Sequence, residues 1–208
     1  MSKGVLLFTG FEPFGGRDKN PSIEACRLID GKEYNGYKVV VKEIPLRYHE
    51  IKETIERCIE DFNPAAVVCT GQGGGTGLAI ERVAVNIASA RMPYNCGYAP
   101  MDESLNSEGP VAYFSTLPFR QLVKVLREGK IPARVSNSAG AYGCNQIFYH
   151  LMDYLSREKL DIPAGFIHVA SMPEQVLNRR GAASMSLYLT GNGLAVVAQE
   201  LARRLNCA

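Results

Sequence analysis

The chain has 208 residues, 46% hydrophobic and 21% charged, which suits one soluble domain (residues 1–208) with a single substantial core. A net charge of +2, with no block of Lys and Arg interleaved with aromatics, argues against a nucleic-acid or membrane partner. The first apolar run, Val5–Phe8, is too short for a signal segment, and no run reaches transmembrane length.

Apolar strands, loops and helices then alternate. Val5–Thr9 reads as a strand. Asn20-Pro21-Ser22 reads as an N-cap followed by Pro at the first helical position, leading into Ile23–Ile29. Tyr37–Ile44 alternates as a strand. Ile51, Ile55, Cys58, Ile59 and Phe62 recur at helical spacing up to Asn63-Pro64. Ala65–Thr70 is a wholly apolar strand of the kind buried on both faces. After the glycine loop Gly71–Gly77, Leu78–Ala88 reads as a strand or hairpin, and 93–118 as a long ordered loop. Phe119–Glu128 is helical, Ala133–Ser136 a strand, Asn145–Arg157 a helix and Phe166–Val169 a strand. Ser184–Leu205 closes the chain as a helix, with Gly191-Asn192-Gly193 as a candidate point for a break. This alternation predicts an α/β fold with a mostly parallel central sheet. Ligands of such sheets sit at the carboxyl ends of strands, so the loops after Thr9, Thr70, Ser136 and Val169 are expected to share one rim.

Four features near those strand ends carry chemistry. In Ser136–Asn145, small residues and glycine run straight into Cys144, which opens the amphipathic pattern Ile147, Phe148, Leu151, Met152, Leu155. A thiol at a helix start faces unpaired N–H groups and the positive end of the helix dipole, both of which favour a negatively charged sulfur. A small buried cysteine filling a helix–strand contact is the other reading. Gly10–Gly16 holds Phe11 and Phe14, which either line an apolar pocket or plug the core. Gly71–Gly77 fits neither G-x-G-x-x-G nor G-K-[ST], so a phosphate cradle is disfavoured, and its glycines read as close backbone approach to a substrate.

Of the three histidines, His49 sits in a polar helix start. His150 shares the helix of Cys144 but projects about 120° away from it, at ~100° per residue. His168 ends the apolar strand 166–168 and is the one suited to partner the thiol; a satisfied core histidine is the other reading. Glu81 is a carboxylate among Ile80, Val83 and Val85, costly to bury unless paired. It either orients an imidazole or pairs with Arg82 or Arg91. The six cysteines show no C-x-x-C and no zinc-like pairing with histidine. No metal site is expected, and the thiols read as reduced, in a cytoplasmic protein. Cys207 is the candidate for pairing between subunits.

Together the motifs T-G-F-E-P-F-G-G (9–16), E-R-V-A-x-N (81–86), S-N-S-A-G-x-Y-x-C-N (136–145) and F-I-H-V (166–169), with Gln72 and Ala90-Arg91, resemble the pyroglutamyl peptidase I (pyrrolidone-carboxylate peptidase) family over nearly the whole chain. The segments Met101–Glu103, Gly109-Pro110 and Ser115–Pro118 fit too. The resemblance implies a three-layer α/β/α sandwich, a Cys-His-Glu triad on Cys144, His168 and Glu81, and a thioester mechanism without metal or organic cofactor. It implies peptides with N-terminal 5-oxoproline as substrates, Phe11 and Phe14 as walls of the ring pocket, Arg91 near the oxyanion, and a homotetramer. Gln72 is expected to meet the lactam. Three positions depart from the family pattern: Gly143 in place of a branched apolar residue, Ala170 in place of Pro, and Thr76 in place of Arg. Two rival readings remain: a Cys-His-Glu enzyme of amidotransferase or deglycase type, and a non-catalytic small-molecule-binding module.

Overall fold

The computed structural model describes residues 3–207; Met1, Ser2 and Ala208, the ends of the 1–208 span, lie outside the described residues. The chain runs β1 (Gly4–Phe11), α1 (Pro21–Arg27), β2 (Glu33–Tyr34), β3 (Tyr37–Ile44), α2 (Ile51–Phe62), β4 (Ala66–Gln72), β5 (Leu78–Glu81), β6 (Val83–Val85), β7 (Ala112–Phe114), α3 (Phe119–Glu128), β8 (Ala133–Ser136), α4 (Gly143–Arg157), β9 (Ala164–Val169), a 3₁₀ turn Pro173–Gln175, and α5 (Leu187–Leu205).

Seven strands form one sheet in the order β2-β3-β1-β4-β9-β5-β8. The strands β3, β1, β4 and β9 are parallel, as expected. Alternate residues along each strand point to opposite faces, and the two faces are covered by different helices. Leu6, Phe8, Val68, Ile80 and Ile167 pack under α1, α3 and α5. Leu7, Val67, Cys69 and Phe166 pack under α2 and α4. The result is the three-layer α/β/α sandwich. Local signals act as read: Asn20 caps α1 by accepting from the Ser22 N–H at 3.0 Å, and Asn63 ends α2 in the left-handed conformation.

Four sequence expectations need correction. The strand predicted over 65–70 continues through Gly71 to Gln72. The 78–88 segment is not a hairpin. Strand β5 joins the main sheet, whereas β6 pairs with β7, a strand inside the 93–118 loop. The helix predicted over 184–205 starts at Leu187, with Ser186 as its cap, and does not break at 191–193. A Cβ at Gly191 would lie 2.6 Å from Leu28, and one at Gly193 2.6 Å from Leu78, so these glycines serve close packing of α5 against its neighbours.

The fourth correction concerns the common rim. Strand β5 is antiparallel to β9, and β8 is parallel to β5. The carboxyl end of β8 therefore points away from those of β1, β4 and β9. Residues 137–142 carry the chain from Ser136 to the start of α4, over the α2/α4 face.

Candidate active site

The sheet register fixes the floor of the site. Gly71 of β4 pairs with His168 of β9, His168 with Ala79 of β5, and Ala79 with Arg134 of β8. Directly paired residues share a face, so these four positions form one row under the start of α4.

Cys144 is the second residue of α4, which begins at Gly143 with no side-chain cap from Tyr142. The first backbone bond of the helix runs from the Gln146 N–H to the Tyr142 carbonyl, leaving the amides before it for other acceptors. Asn145, fully buried, holds this end in place. It accepts from the Val85 N–H at 2.9 Å and donates to the carbonyls of Val85 and Ile87 at 2.8 and 3.0 Å. The half-buried thiol then rests on the bare backbone of Gly71. A Cβ there would lie 2.6 Å from Cys144 Sγ and 2.8 Å from the Phe166 ring. Any side chain at 71 would displace the sulfur.

His168 Nδ1 lies 2.8 Å from Glu81 Oε1, which leaves Nε2 for a hydrogen bond with Cys144. The Phe166 ring stands edge-on to the imidazole, centroids 4.9 Å apart. Glu81 is 1% exposed and its Oε2 has no partner among the described residues. Burial works to lower the His168 pKa, but the charge and hydrogen bond of Cys144, then those of Glu81, outweigh it and push it up to about 10. Cys144 and Glu81 thus hold the proton on His168 against the cost of burial. Cys144 also packs against the core under α2 and α4, and Glu81 pairs with His168, not with Arg82 or Arg91.

A cavity of about 360 Å³ opens over this group, lined by Gln72–Gly75, Arg134, Ser136, Ser138, Cys144 and His168 among others. Gln72 reaches it with its amide already engaged. Arg17 Nη1 donates to Oε1 at 2.9 Å, and Nε2 donates to Ser171 Oγ at 2.7 Å. One lone pair and one N–H of that amide remain for a ligand.

Phe11 is buried on the other side of the thiol, near Gly71 and Gly143, and the half-buried Phe14 lies under the Arg17 guanidinium, 5.8 Å from its carbon. Glu12 fastens this loop by accepting from the Leu46 N–H at 2.9 Å and Asn95 Nδ2 at 2.8 Å. Neither phenylalanine lines the His168 cavity. Arg91 is exposed in an adjoining cavity with Ser89, Met92 and Ala141, which shares Gly140 and Tyr142 with the first. The structure brings together Cys144, His168 and Glu81, with Phe11 beside them, and leaves Arg91 apart. Sequence reasoning missed Leu46 and Arg134, and read Gly71 as part of a loop approaching substrate, not as the seat of the thiol. Gly71 carried a signal, a glycine directly after an apolar strand; the other two acquire meaning only through the register and the α4 docking.

Comparison with known proteins bears on the family and the fold. A sequence model of the family described as pyroglutamyl peptidase matches residues 4–204. The chain belongs to the pyroglutamyl peptidase family. It is 45% identical over 184 residues to a pyrrolidone-carboxylate peptidase of Bacillus cytotoxicus, covering 88% of this chain and 86% of that one. It is 43% identical over 199 residues to one of Bacillus licheniformis, covering 95% and 92%. The crystal structure of Bacillus amyloliquefaciens pyroglutamyl peptidase I superposes with a TM-score of 0.93 at 36% identity, covering 98% of each chain. A mutant pyrrolidone carboxyl peptidase from Pyrococcus furiosus gives 0.92 at 34%, covering 97% and 99%. As a member of the pyroglutamyl peptidase family the chain is a hydrolase, a cysteine peptidase of the pyroglutamyl peptidase I type. No helix among the described residues is long and apolar enough to cross a membrane.

Proposed function

We propose that this chain removes N-terminal 5-oxoproline from peptides, with Cys144 as nucleophile, His168 as acid and base, and Glu81 as the group that orients His168. The observation that carries the reading is the convergence of the three side chains, with Cys144 over Gly71, His168 Nδ1 2.8 Å from Glu81 and its pKa raised by both neighbours.

The Cys144 thiolate attacks the carbonyl carbon between the ring and the next residue. The tetrahedral oxyanion is met by the Cys144 N–H and a neighbouring amide at the α4 start, each donor worth roughly 3–4 kcal/mol. The C–N bond breaks as the His168 imidazolium gives its proton to the leaving nitrogen, and a thioester remains. Water then attacks the thioester while His168 takes its proton, releasing 5-oxoproline and the thiolate.

The 5-oxoproline ring is an uncharged lactam. The free lone pair and N–H of Gln72 in the cavity are suitable polar partners for it, and the loop of Phe11 and Phe14 beside the thiol supplies the apolar side toward which the ring would pack. A free N-terminal Glu or Gln would bury an unpaired ammonium there. Residues 1–208 act as one such domain, in the cytoplasm, as a homotetramer. Release of a fluorophore from a 5-oxoprolyl amide, beside a prolyl amide, tests the reading. Cleavage of the first alone, lost in Cys144→Ser, is expected. Equal cleavage of both, or activity surviving in the variant, refutes it.

A further inference from the structure

The order of strands gives the substrate a direction. Phe11 lies on β1, the thiol sits over Gly71 of β4, and His168, Ala79 and Arg134 follow on β9, β5 and β8. His168 must face the leaving nitrogen, because it is the group that protonates it. The ring therefore lies toward β1 and the departing peptide toward β8. This orientation rests on the proposed peptidase reading.

The departing side has a distinct chemistry. Its floor between His168 and Arg134 is the methyl of Ala79, and its lip is Gly73, Gly74 and Gly75. A Cβ at Gly74 would meet nothing within 4 Å, and one at Gly75 would lie 3.3 Å from Arg134 Nη2, so the guanidinium is laid along the glycine lip. Among the described residues Arg134 has no hydrogen-bond or ion-pair partner, though 11 other ion pairs are formed. Among the described residues Glu81 is the one carboxylate lining the cavity, and it is turned to His168. The hydroxyl-bearing Ser136 and Ser138 border the same space. The departing side thus holds an unneutralised cation and two hydroxyls.

We propose that Arg134 is a specificity-determining residue that binds a carboxylate on the residue following 5-oxoproline. Two strand spacings separate the His168 and Arg134 backbones, about 10 Å. One extended residue spans about 3.5 Å. The long arginine side chain closes the remainder, so the carboxylate belongs to the residue directly after the scissile bond. It is either the side chain of an acidic residue or the free α-carboxylate of a dipeptide. Both present the planar pair of oxygens that a guanidinium fork receives.

The test compares kcat/KM for four compounds: 5-oxoprolyl-glutamate amide, 5-oxoprolyl-glutamine amide, 5-oxoprolyl-alanine and 5-oxoprolyl-alanine amide. The parent enzyme is expected to favour a carboxylate over its neutral isostere by about tenfold, the worth of one charge-assisted hydrogen bond. Preference within the glutamate–glutamine pair assigns the side-chain carboxylate; preference within the alanine pair assigns the α-carboxylate. In Arg134→Gln the ratio falls to near one, in Arg134→Lys it is partly retained, and in the parent it shrinks as salt is raised through about 0.15 M. A purely structural arginine would not tie the ratio to salt. Equal rates within both pairs in the parent, or a preference that survives Arg134→Gln, overturns the assignment. Failure to cleave any of the four, the neutral amides included, instead refutes the peptidase reading beneath it.

Discussion

Helix α4 carries two regions of opposite design only six residues apart. At its first turn, Cys144 meets His168: burial opposes the imidazolium, and Cys144 and Glu81 together override it, raising His168 to about 10. At the third turn, His150 is more enclosed, 4% exposed, and its Nδ1 has no partner among the described residues. Burial lowers it to about 4, with Lys52 of α2 and Arg157 reinforcing the shift and Asp153 opposing it. The same side chain moves in opposite directions from 6.5 in one protein. Burial alone does not decide a histidine's charge; the nearest partner does.

Removing the partner should collapse the first region. Cys144→Ala is expected to cost at least about 10⁴-fold in kcat while leaving the melting transition intact. It should also drop the His168 ring titration, followed by NMR, far below pH 10. A His168 titration unmoved in Cys144→Ala would break the comparison, because the thiolate would then not be what raises it.

Glu81→Gln is the next largest change. It keeps the side-chain shape but removes the charge and fixes the wrong hydrogen-bond polarity, so kcat should fall by about 10²–10⁴-fold with little change in KM. The sign of its pH effect follows from His168. The imidazolium form exists below its pKa and is lost as pH rises through about 10. Parent kcat should therefore fall on an alkaline limb near there, and Glu81→Gln should pull that limb to lower pH. A rise in KM with kcat preserved would make Glu81 a substrate-binding group instead.

The second region makes a stability prediction. His150 stays neutral in the folded chain down to about pH 4, whereas the unfolded chain takes up the proton from about 6.5 downward. The unfolded state binds more protons in that window, so stability is lost as pH falls from 6.5 toward 4, by roughly 3 kcal/mol from this group. In His150→Gln, denaturant melts should lose less stability across that window than the parent does. Identical slopes would mean that His150 is charged in the folded chain.

Much of this was legible in the sequence because it is local. Asn20-Pro21, Asn63-Pro64 and the apolar periodicities write their own helix ends, and a cysteine after a glycine-rich turn at a helix start carries its chemistry in the residues beside it. Glu81 and His168 stood out as polar residues in apolar strands, which is a cost that asks for a partner. What the sequence did not reveal is relational. The reversal of β5 and β8 lies in which strand pairs with which, and no periodicity encodes that. Gly71 reads as loop until the thiol is above it. The unbroken α5 contradicts its glycines because Leu28 and Leu78 occupy the space of the missing side chains.

The smallest effect sharpens the first region further. Gly143 begins α4 beside Cys144, where alanine would ordinarily favour a helix by about 0.5–1 kcal/mol. Here a Cβ would run into the Leu46 side-chain terminus, with Tyr94 at 3.7 Å and Phe11 at 3.8 Å behind it. Leu46 is 3% exposed, so it must repack to make room, at about 1–3 kcal/mol. The balance predicts that Gly143→Ala lowers stability by about 1 kcal/mol. Leu46→Val should restore part of the loss in the double variant, a coupling that distant sites would not show. Additive effects of the two changes would mean that the helix start already has slack, and that the thiol is held by Gly71 and Asn145 without Leu46.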